Sequence, residues 1–187
     1  MTAIKSDFWV FAFGGFPRGK KGGPWGLALH ADAQTVTDFM FRTGVLDVPS
    51  LVAEADRPDG VEDVAYVYDG VKVVSDKVRR IIEEAGPGDC QFIPVDVRYK
   101  DRSLGLTYWA LHVLNDVDCA DHAKSDYNLR GDGTTPLYWR VSIIADRVPP
   151  HVSTFRILHG MSSAVIRDSL RRALRRAKVT GALYYRP

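Results

Sequence analysis

The chain has 187 residues, 45% of them apolar and 26% charged, with a formal net charge of +2. These values describe an ordinary globular chain, expected to form one domain over residues 1–187, and they exclude disorder. A length of this order buries a core without covalent staples, and the near balance of charge excludes a partner attracted by global charge alone.

The elements follow from the pattern. Phe8 to Phe13 is aromatic and apolar and reads as a buried strand, followed by a Gly/Pro-rich loop from Gly14 to Pro24 and a second strand from Trp25 to His30. Gln34 to Gly44 fits helix and strand equally. Asp47 to Gly60, with Pro49, Pro58 and Gly60, reads as an acidic surface connection that has room for one helical turn. Val64 to Tyr68 and Val71 to Val74 are strands around an Asp69-Gly70 turn. Ser75 caps a helix whose Val78, Ile81, Ile82 and Ala85 share one face, and Gly86-Pro87-Gly88 ends it. Gln91 to Val97 and Leu104 to Leu114 are strands, and Asp116 to Gly133 is polar and loop-like. Leu137 to Ala145 and Val152 to Leu158 are two more strands. A second helix runs from near Ser162 or Ser163 to near Lys178, and Gly181 turns the chain into a last strand ending at Tyr185. Strands outnumber helices and several connections are short. The expected class is α+β, a mainly antiparallel sheet with a few packed helices. Residues 1–70 form the less regular N-terminal strand and loop portion, and residues 71–187 the core.

One stretch occurs twice, 92 residues apart. Val73–Val95 aligns without a gap on Val165–Pro187, so that Asp76 matches Asp168, Val78 matches Leu170, Ile82 matches Leu174 and Phe92 matches Tyr184. Both copies read as amphipathic helix, turn, strand. They share an apolar face and differ on the solvent side, Glu83-Glu84 against Arg175-Arg176. This duplicated helix–strand unit is expected to be scaffold.

Charge is unevenly spread. Asp47 to Asp69 holds seven acids and one base, Arg57, whereas Arg167 to Pro187 holds seven bases and one acid, Asp168. Cys90 and Cys119 are too few for a disulfide framework and suit a reducing compartment. The apolar N-terminal run lacks a cleavage signal, and no run approaches the ~18 apolar residues of a membrane span. The expected location is the cytoplasm, without membrane attachment.

Gly14 to Lys21 fits part of a phosphate-binding loop, but Lys21 stands where Ser or Thr would hold Mg²⁺, and Gly22-Gly23-Pro24 prevents the helix that must follow. Asp118, Cys119, Asp121 and His122 are metal-ligand types, yet no second segment supplies matching ligands. His112 reads as a core histidine. The arginine-rich last helix is one route to nucleic acid, but its bases lie on a solvent face without interleaved aromatics. No catalytic residue, cofactor or metal is expected.

Several pieces resemble a known family. Val74-Ser75-Asp76, Phe92-Ile93-Pro94-Val95, Asn115 to Ser125 (NDVDCADHAKS), Phe155-Arg156 and the closing helix with Thr180-Gly181-Ala182-Leu183-Tyr184 together resemble the Imm11-type immunity proteins of bacterial polymorphic toxin systems. The resemblance covers about Val71 to Pro187. Arg167 departs by standing where the first copy has Ser75, and Tyr184 by replacing the family's late Phe. The resemblance implies a non-enzymatic inhibitor that binds a cognate toxin domain in the cytoplasm. The expected partner surface is acidic: Glu54, Asp56, Asp59, Glu62, Asp63 and Asp69, helped by Asp118, Asp121 and Asp126, since acidic surfaces steer basic partners. A second reading has the same acids pairing internally with Arg171, Arg172, Arg175 and Arg176. A small-molecule-handling enzyme and a nucleic-acid-binding regulator are the alternative functions.

Overall fold

A computed structural model describes residues 7–13, 26–58, 62–67, 71–159 and 163–187. The protein is α+β and mainly sheet, with antiparallel pairings outnumbering parallel ones. One part of the chain contains β2 (Gly26–His30), α1 (Ala33–Phe41), β3 (Leu51–Ala55), β4 (Val64–Val67), β5 (Lys72–Ser75), α2 (Asp76–Ala85), β6 (Cys90–Tyr99) and β7 (Arg102–Val113). Its strands close into a barrel in the order β2-β3-β6-β7-β5-β4. The rest contains β8 (Asp116–Val117), β9 (Asp126–Leu129), β10 (Pro136–Arg140), β11 (Thr154–Ile157), β12 (Ala164–Arg167), α3 (Asp168–Arg176) and β13 (Ala182–Tyr185). These join the N-terminal β1 (Phe8–Phe13) in a five-stranded sheet, β13-β1-β12-β11-β8, while β9 and β10 form a separate ribbon.

The sequence echo is the visible part of a larger repeat. Barrel strands β6-β7-β5-β4-β2 correspond to β13-β1-β12-β11-β8, in the same order and register. Val74 faces Trp109 as Ile166 faces Trp9. Phe92 faces Leu111 as Tyr184 faces Phe11. Val64 faces Val74 as Thr154 faces Ile166. Even the parallel edge repeats, Leu27 on Val67 and Val117 on Ile157. The second unit is permuted: β1, from the start of the chain, occupies the place that β7 holds in the first.

Both helices belong to the same apolar layer. Val78 and Ile82 of α2 and Leu170 and Leu174 of α3 are buried in one cluster with Phe11, Val74 and Ile166. Each helix opens on an aspartate that binds the arginine one turn on, Asp76 to Arg79 at 2.9 Å and Asp168 to Arg171 at 2.6 Å. Each arginine then covers a tryptophan of the neighbouring strand, Arg79 over Trp109 and Arg171 over Trp9. The units also strap each other. The Asp89 carboxylate accepts the Ser153 and Thr154 amides at 2.7 and 2.9 Å, and the Thr180 carbonyl accepts the Val64 amide at 3.1 Å. Gly181 makes this second strap fit. Its φ is +73°, and a β-carbon there would collide with the Val64 carbonyl.

Arg167 differs from its counterpart Ser75 for a physical reason. Ser75 caps α2 through its hydroxyl, whereas the Arg167 guanidinium donates to the Val152 and Pro149 carbonyls at 2.6 and 2.8 Å. A helix cap is exchanged for a tie to the segment before β11.

Several boundaries differ from the sequence reading. Within Gln34 to Gly44 the chain is helix α1 as far as Phe41, capped by Asp32 accepting the Thr35 amide at 2.7 Å. The supposed acidic connection contains β3, where Leu51, Ala53 and Ala55 point inward and Glu54 outward. The second helix begins at Asp168, because Ala164 to Arg167 is a strand between β1 and β11. Leu137 to Ala145 is not one strand: β10 stops at Arg140 and a short 3₁₀ turn covers Ala145–Arg147. The loop-like stretch after Asp116 contains β8 and β9. The Gly14–Lys21 loop, the Asp69-Gly70 turn and the Gly160-Met161-Ser162 stretch lie outside the described residues.

If the two helices share one core, truncating either is costly. Ile82→Ala and Leu174→Ala are each expected to lower stability by about 2–5 kcal/mol, read from urea denaturation midpoints. A loss under ~1 kcal/mol at either position would contradict shared burial.

Candidate partner-binding surface

The expected acids fall into two groups that do different work. In the barrel unit, Glu54 accepts the Lys100 amide at 2.6 Å, Asp56 accepts the Gly26 amide at 3.1 Å, and the Glu62 carbonyl accepts the Tyr108 hydroxyl at 3.1 Å. Asp63 is a hub. It binds the Ser75 hydroxyl and Lys77 ammonium at 2.8 Å each and the Thr180 amide at 3.1 Å. Burial alone would raise its pKa, but the bonds from Lys77, Thr180 and Ser75 outweigh it and hold the carboxyl below the usual range. Burial, helped by Asp63 and Glu62, pushes the Tyr108 phenol to about 12. Glu54, Asp56 and Asp63 fasten the chain through their carboxylates, Glu62 through its main-chain carbonyl. Asp59 and Asp69 lie outside the described residues.

The second group surrounds the β9–β10 ribbon. Asp118 is exposed. Asp121 is held below the usual range by the Lys124 ammonium, 3.0 Å away, and accepts the Ala123 amide at 3.2 Å. Asp126 reaches across the ribbon to Arg140 at 2.9 Å, both side chains exposed. Tyr127 pairs with Tyr138 and Leu129 with Pro136, and the register shifts at Trp139. Trp139 is 63% exposed at that shift, and on the other strand of the ribbon Leu129 is 53% and Tyr127 37% exposed. Tyr138 is buried and anchors the ribbon, its hydroxyl 2.9 Å from His122 Nδ1. At the tip, Asp132 binds the Thr134 and Thr135 amides at 2.9 and 2.8 Å and the Thr135 hydroxyl at 2.6 Å, which holds its carboxyl far below the ordinary value. Sequence reading named the acids and missed Tyr127, Leu129 and Trp139. The available signal was Tyr138-Trp139-Arg140, three residue types that anchor interfaces.

Among the described residues, the acids of the Asp47–Asp69 segment make no ion pair with the arginine-rich helix. Arg171 and Arg172 close on Asp168 within the same helix, at 2.6 and 3.3 Å, because a helix brings i+3 and i+4 together without ordering a distant loop. Arg171 and Arg186 also hold Trp9 between them.

Other reactive groups are tuned away from chemistry. Burial pushes the Cys119 thiol up to about 11 and the Cys90 thiol higher still, so neither supplies a thiolate at neutral pH. Among the described residues, no three of His, Cys, Asp and Glu converge as metal ligands. His112 is a core residue whose two ring nitrogens face the Phe39 and Gly44 carbonyls at 3.3 and 2.9 Å. Nearby, Arg156 is tied to Asp116 at 2.7 Å and to the Arg42 carbonyl at 2.7 Å. Burial, and then the Arg156 cation, lower the Lys72 ammonium to about 8.

The chain is thus an α+β protein of two related units, one sealed and one carrying an exposed ribbon. A model of the Imm11 immunity protein family matches residues 17–186. The chain belongs to that family, and membership extends well into the first seventy residues, beyond the segment that carried the sequence resemblance. No curated protein matches it. Among the described residues, no helix is long and apolar enough to cross a membrane.

Two titrations test this account. Asp63→Ala is expected to cost ~1–3 kcal/mol at pH 7, since it leaves the Ser75 and Thr180 donors without their acceptor. The wild-type advantage is full above the unfolded value near ~3.9 and shrinks as pH falls through the lower folded value, so the two denaturation curves converge in acid. Lys72 behaves oppositely. Between about 8 and an unfolded value near ~10.4 the unfolded chain holds more protons, so wild-type stability rises with pH in that window. Lys72→Met is expected to raise the melting temperature at pH 7 and to flatten that alkaline rise.

Proposed function

We propose that the protein is a non-enzymatic inhibitor that binds a cognate toxin domain in the cytoplasm and neutralises it by non-covalent masking, as one folded domain over residues 1–187. Membership of the immunity family carries this reading. The side chains add support. Both thiols stay protonated at neutral pH, His112 is packed in the core, and the exposed groups include carboxylates and aromatics suited to recognition. Glu54, Asp56, Asp59, Glu62, Asp63, Asp69, Asp118, Asp121 and Asp126 are the proposed electrostatic contacts. Within that set, Asp118 and Asp126 count most, because they are exposed, whereas Asp63 and Asp121 are largely covered and bonded within the fold. Carboxylates of this kind guide a basic partner mainly through its association rate.

The experiment is co-expression with the toxin domain encoded beside this gene, followed by a binding measurement on the purified pair. The wild-type chain is expected to protect growth and bind directly. Joint reversal of Asp118, Asp121 and Asp126 to Lys is expected to slow association by tenfold or more at low salt, and by less at high salt. An unchanged association rate would remove these acids from the interface. A wild-type chain that neither protects nor binds would remove the function.

A further inference from the structure

We infer that the cleft between residues 141–145 and the start of β1 takes up an extended segment of the toxin as an added strand, which completes the second unit as β6 completes the first. This inference rests on the immunity reading above and adds the mode of binding and the pattern of the bound segment.

The internal repeat locates the site. In the first unit β3 closes the barrel, pairing antiparallel with β2 on one side and parallel with β6 on the other. The second unit begins the same closure. Ile143 bridges Ala120 as Val52 pairs with His30. On its other side Val52 meets Asp96 of β6, and Asp96 also meets Thr107 of β7. The match of Trp9 with Trp109 sets Asp7 at the place of Thr107, and the 92-residue echo sets Pro187 at the place of Val95. Asp7, Pro187 and Ile143 line one cleft of about 410 Å³. Their counterparts Thr107, Val95 and Val52 surround Asp96. The cleft therefore lies where the first unit holds residues 96–98 of β6.

The wall of the cleft presents a backbone edge. The Ile144 amide donates to the Cys119 carbonyl and the Asp121 amide to the Ser142 carbonyl, each at 2.8 Å. These two bonds flank the Ile143–Ala120 bridge, which makes it a non-hydrogen-bonded pair. The N–H and C=O of Ile143 thus point away from Ala120, to the side on which Val52 meets β6. Among the described residues neither group has a hydrogen-bond partner. An edge of this kind is a template for a further strand. The lining includes Phe8 and Val141, both buried and apolar.

The first unit also defines the occupant. There the closing stretch of β6 buries Val95 and Val97 and leaves Asp96 and Arg98 partly exposed. The fitting segment is extended, runs parallel to residues 141–144, and carries an apolar residue at every second position. Net charge does not select it, because the cations at the cleft are already engaged. Lys124 is bound to Asp121, Arg140 to Asp126, and Arg186 lies over Trp9. Main-chain hydrogen bonds supply affinity in this mode, and the alternate side chains supply specificity. On the immunity reading the toxin is the donor of the segment.

The test uses the full chain, with the toxin domain encoded beside the gene as the probe. Amide hydrogen exchange of Ile143 is expected to be fast in the free chain and slowed by about a hundredfold or more in the complex. Ala145 is exposed and lines the cleft, so Ala145→Trp fills the cleft without disturbing the core. This variant is expected to bind the toxin domain about tenfold or more weakly, with an unchanged melting temperature, whereas Ala145→Ser is expected to bind like wild type. If wild type binds while the Ile143 amide stays unprotected, or if Ala145→Trp binds as tightly as wild type, this inference is overturned and the immunity function stands. If wild type itself fails to bind, both are overturned. An Ile143 amide already protected in the free chain assigns the cleft to this protein itself and also overturns the inference. Light scattering then tells a second copy from a segment of the same molecule.

Discussion

The packing of α2 and α3 into one apolar layer is the constraint on which the rest of the structure depends. Each helix offers only a narrow buried stripe, Val78 and Ile82 on one, Leu170 and Leu174 on the other. Side chains of this type contribute roughly 1.5–3 kcal/mol each when fully buried. That gain requires both units, since the cluster draws on β5 through Val74, β12 through Ile166 and β1 through Phe11. The same Asp–Arg–Trp grouping ties the start of each helix to a neighbouring strand. The loops after the helices then bind across, Asp89 to the start of β11 and Thr180 to the start of β4.

Permutation makes this arrangement a non-local one. β1 lies between β12 and β13, strands formed from the far end of the chain, so the second unit cannot be completed until nearly all residues are present. Loop closure must come before those contacts form, which points to slow folding for a chain of this size. The two units also resolve their open edges differently. In the first, β3 pairs with both β2 and β6 and seals the barrel. In the second, the segment around Ile143 makes one bridge, and the sheet stays open beside the cleft.

How much of this was legible in the sequence depended on whether a signal was local. The repeated helix stripes were readable because a period of 3.6 residues survives substitution. β12 was not, because Ala164, Val165 and Ile166 run into the helix pattern and nothing in the sequence marks Asp168 as the boundary. β3 was hidden because Leu51-Val52-Ala53-Glu54-Ala55 sits among acids and prolines, and its burial depends on strands supplied from elsewhere. For the acids, type was legible and role was not. Asp63 looked like any surface carboxylate, since one of its partners, Thr180, lies 117 positions away. The ribbon's exposed side chains escaped notice for the opposite reason: an apolar residue in sequence reads as core, and nothing local marks Trp139 as exposed.

Duplication also separates two demands that compete in a small binding protein. Several contacts that hold the fold recur in both units, among them the Asp76–Arg79 and Asp168–Arg171 pairs. Residues outside that set are free to diverge. Glu83 and Glu84 against Arg175 and Arg176 show how far divergence goes even on the repeated helices. The arginines lie at the negative end of the α3 dipole, where they are favourable, whereas Glu83 at the same end of α2 is offset by Arg79 at 2.9 Å. Charge on the helices is therefore adjusted locally and does not have to serve a partner. The ribbon is under no such requirement, because no repeated contact passes through Trp139 or Leu129. Its sequence can diverge while the shared helix layer, Val78 and Ile82 with Leu170 and Leu174, keeps the fold.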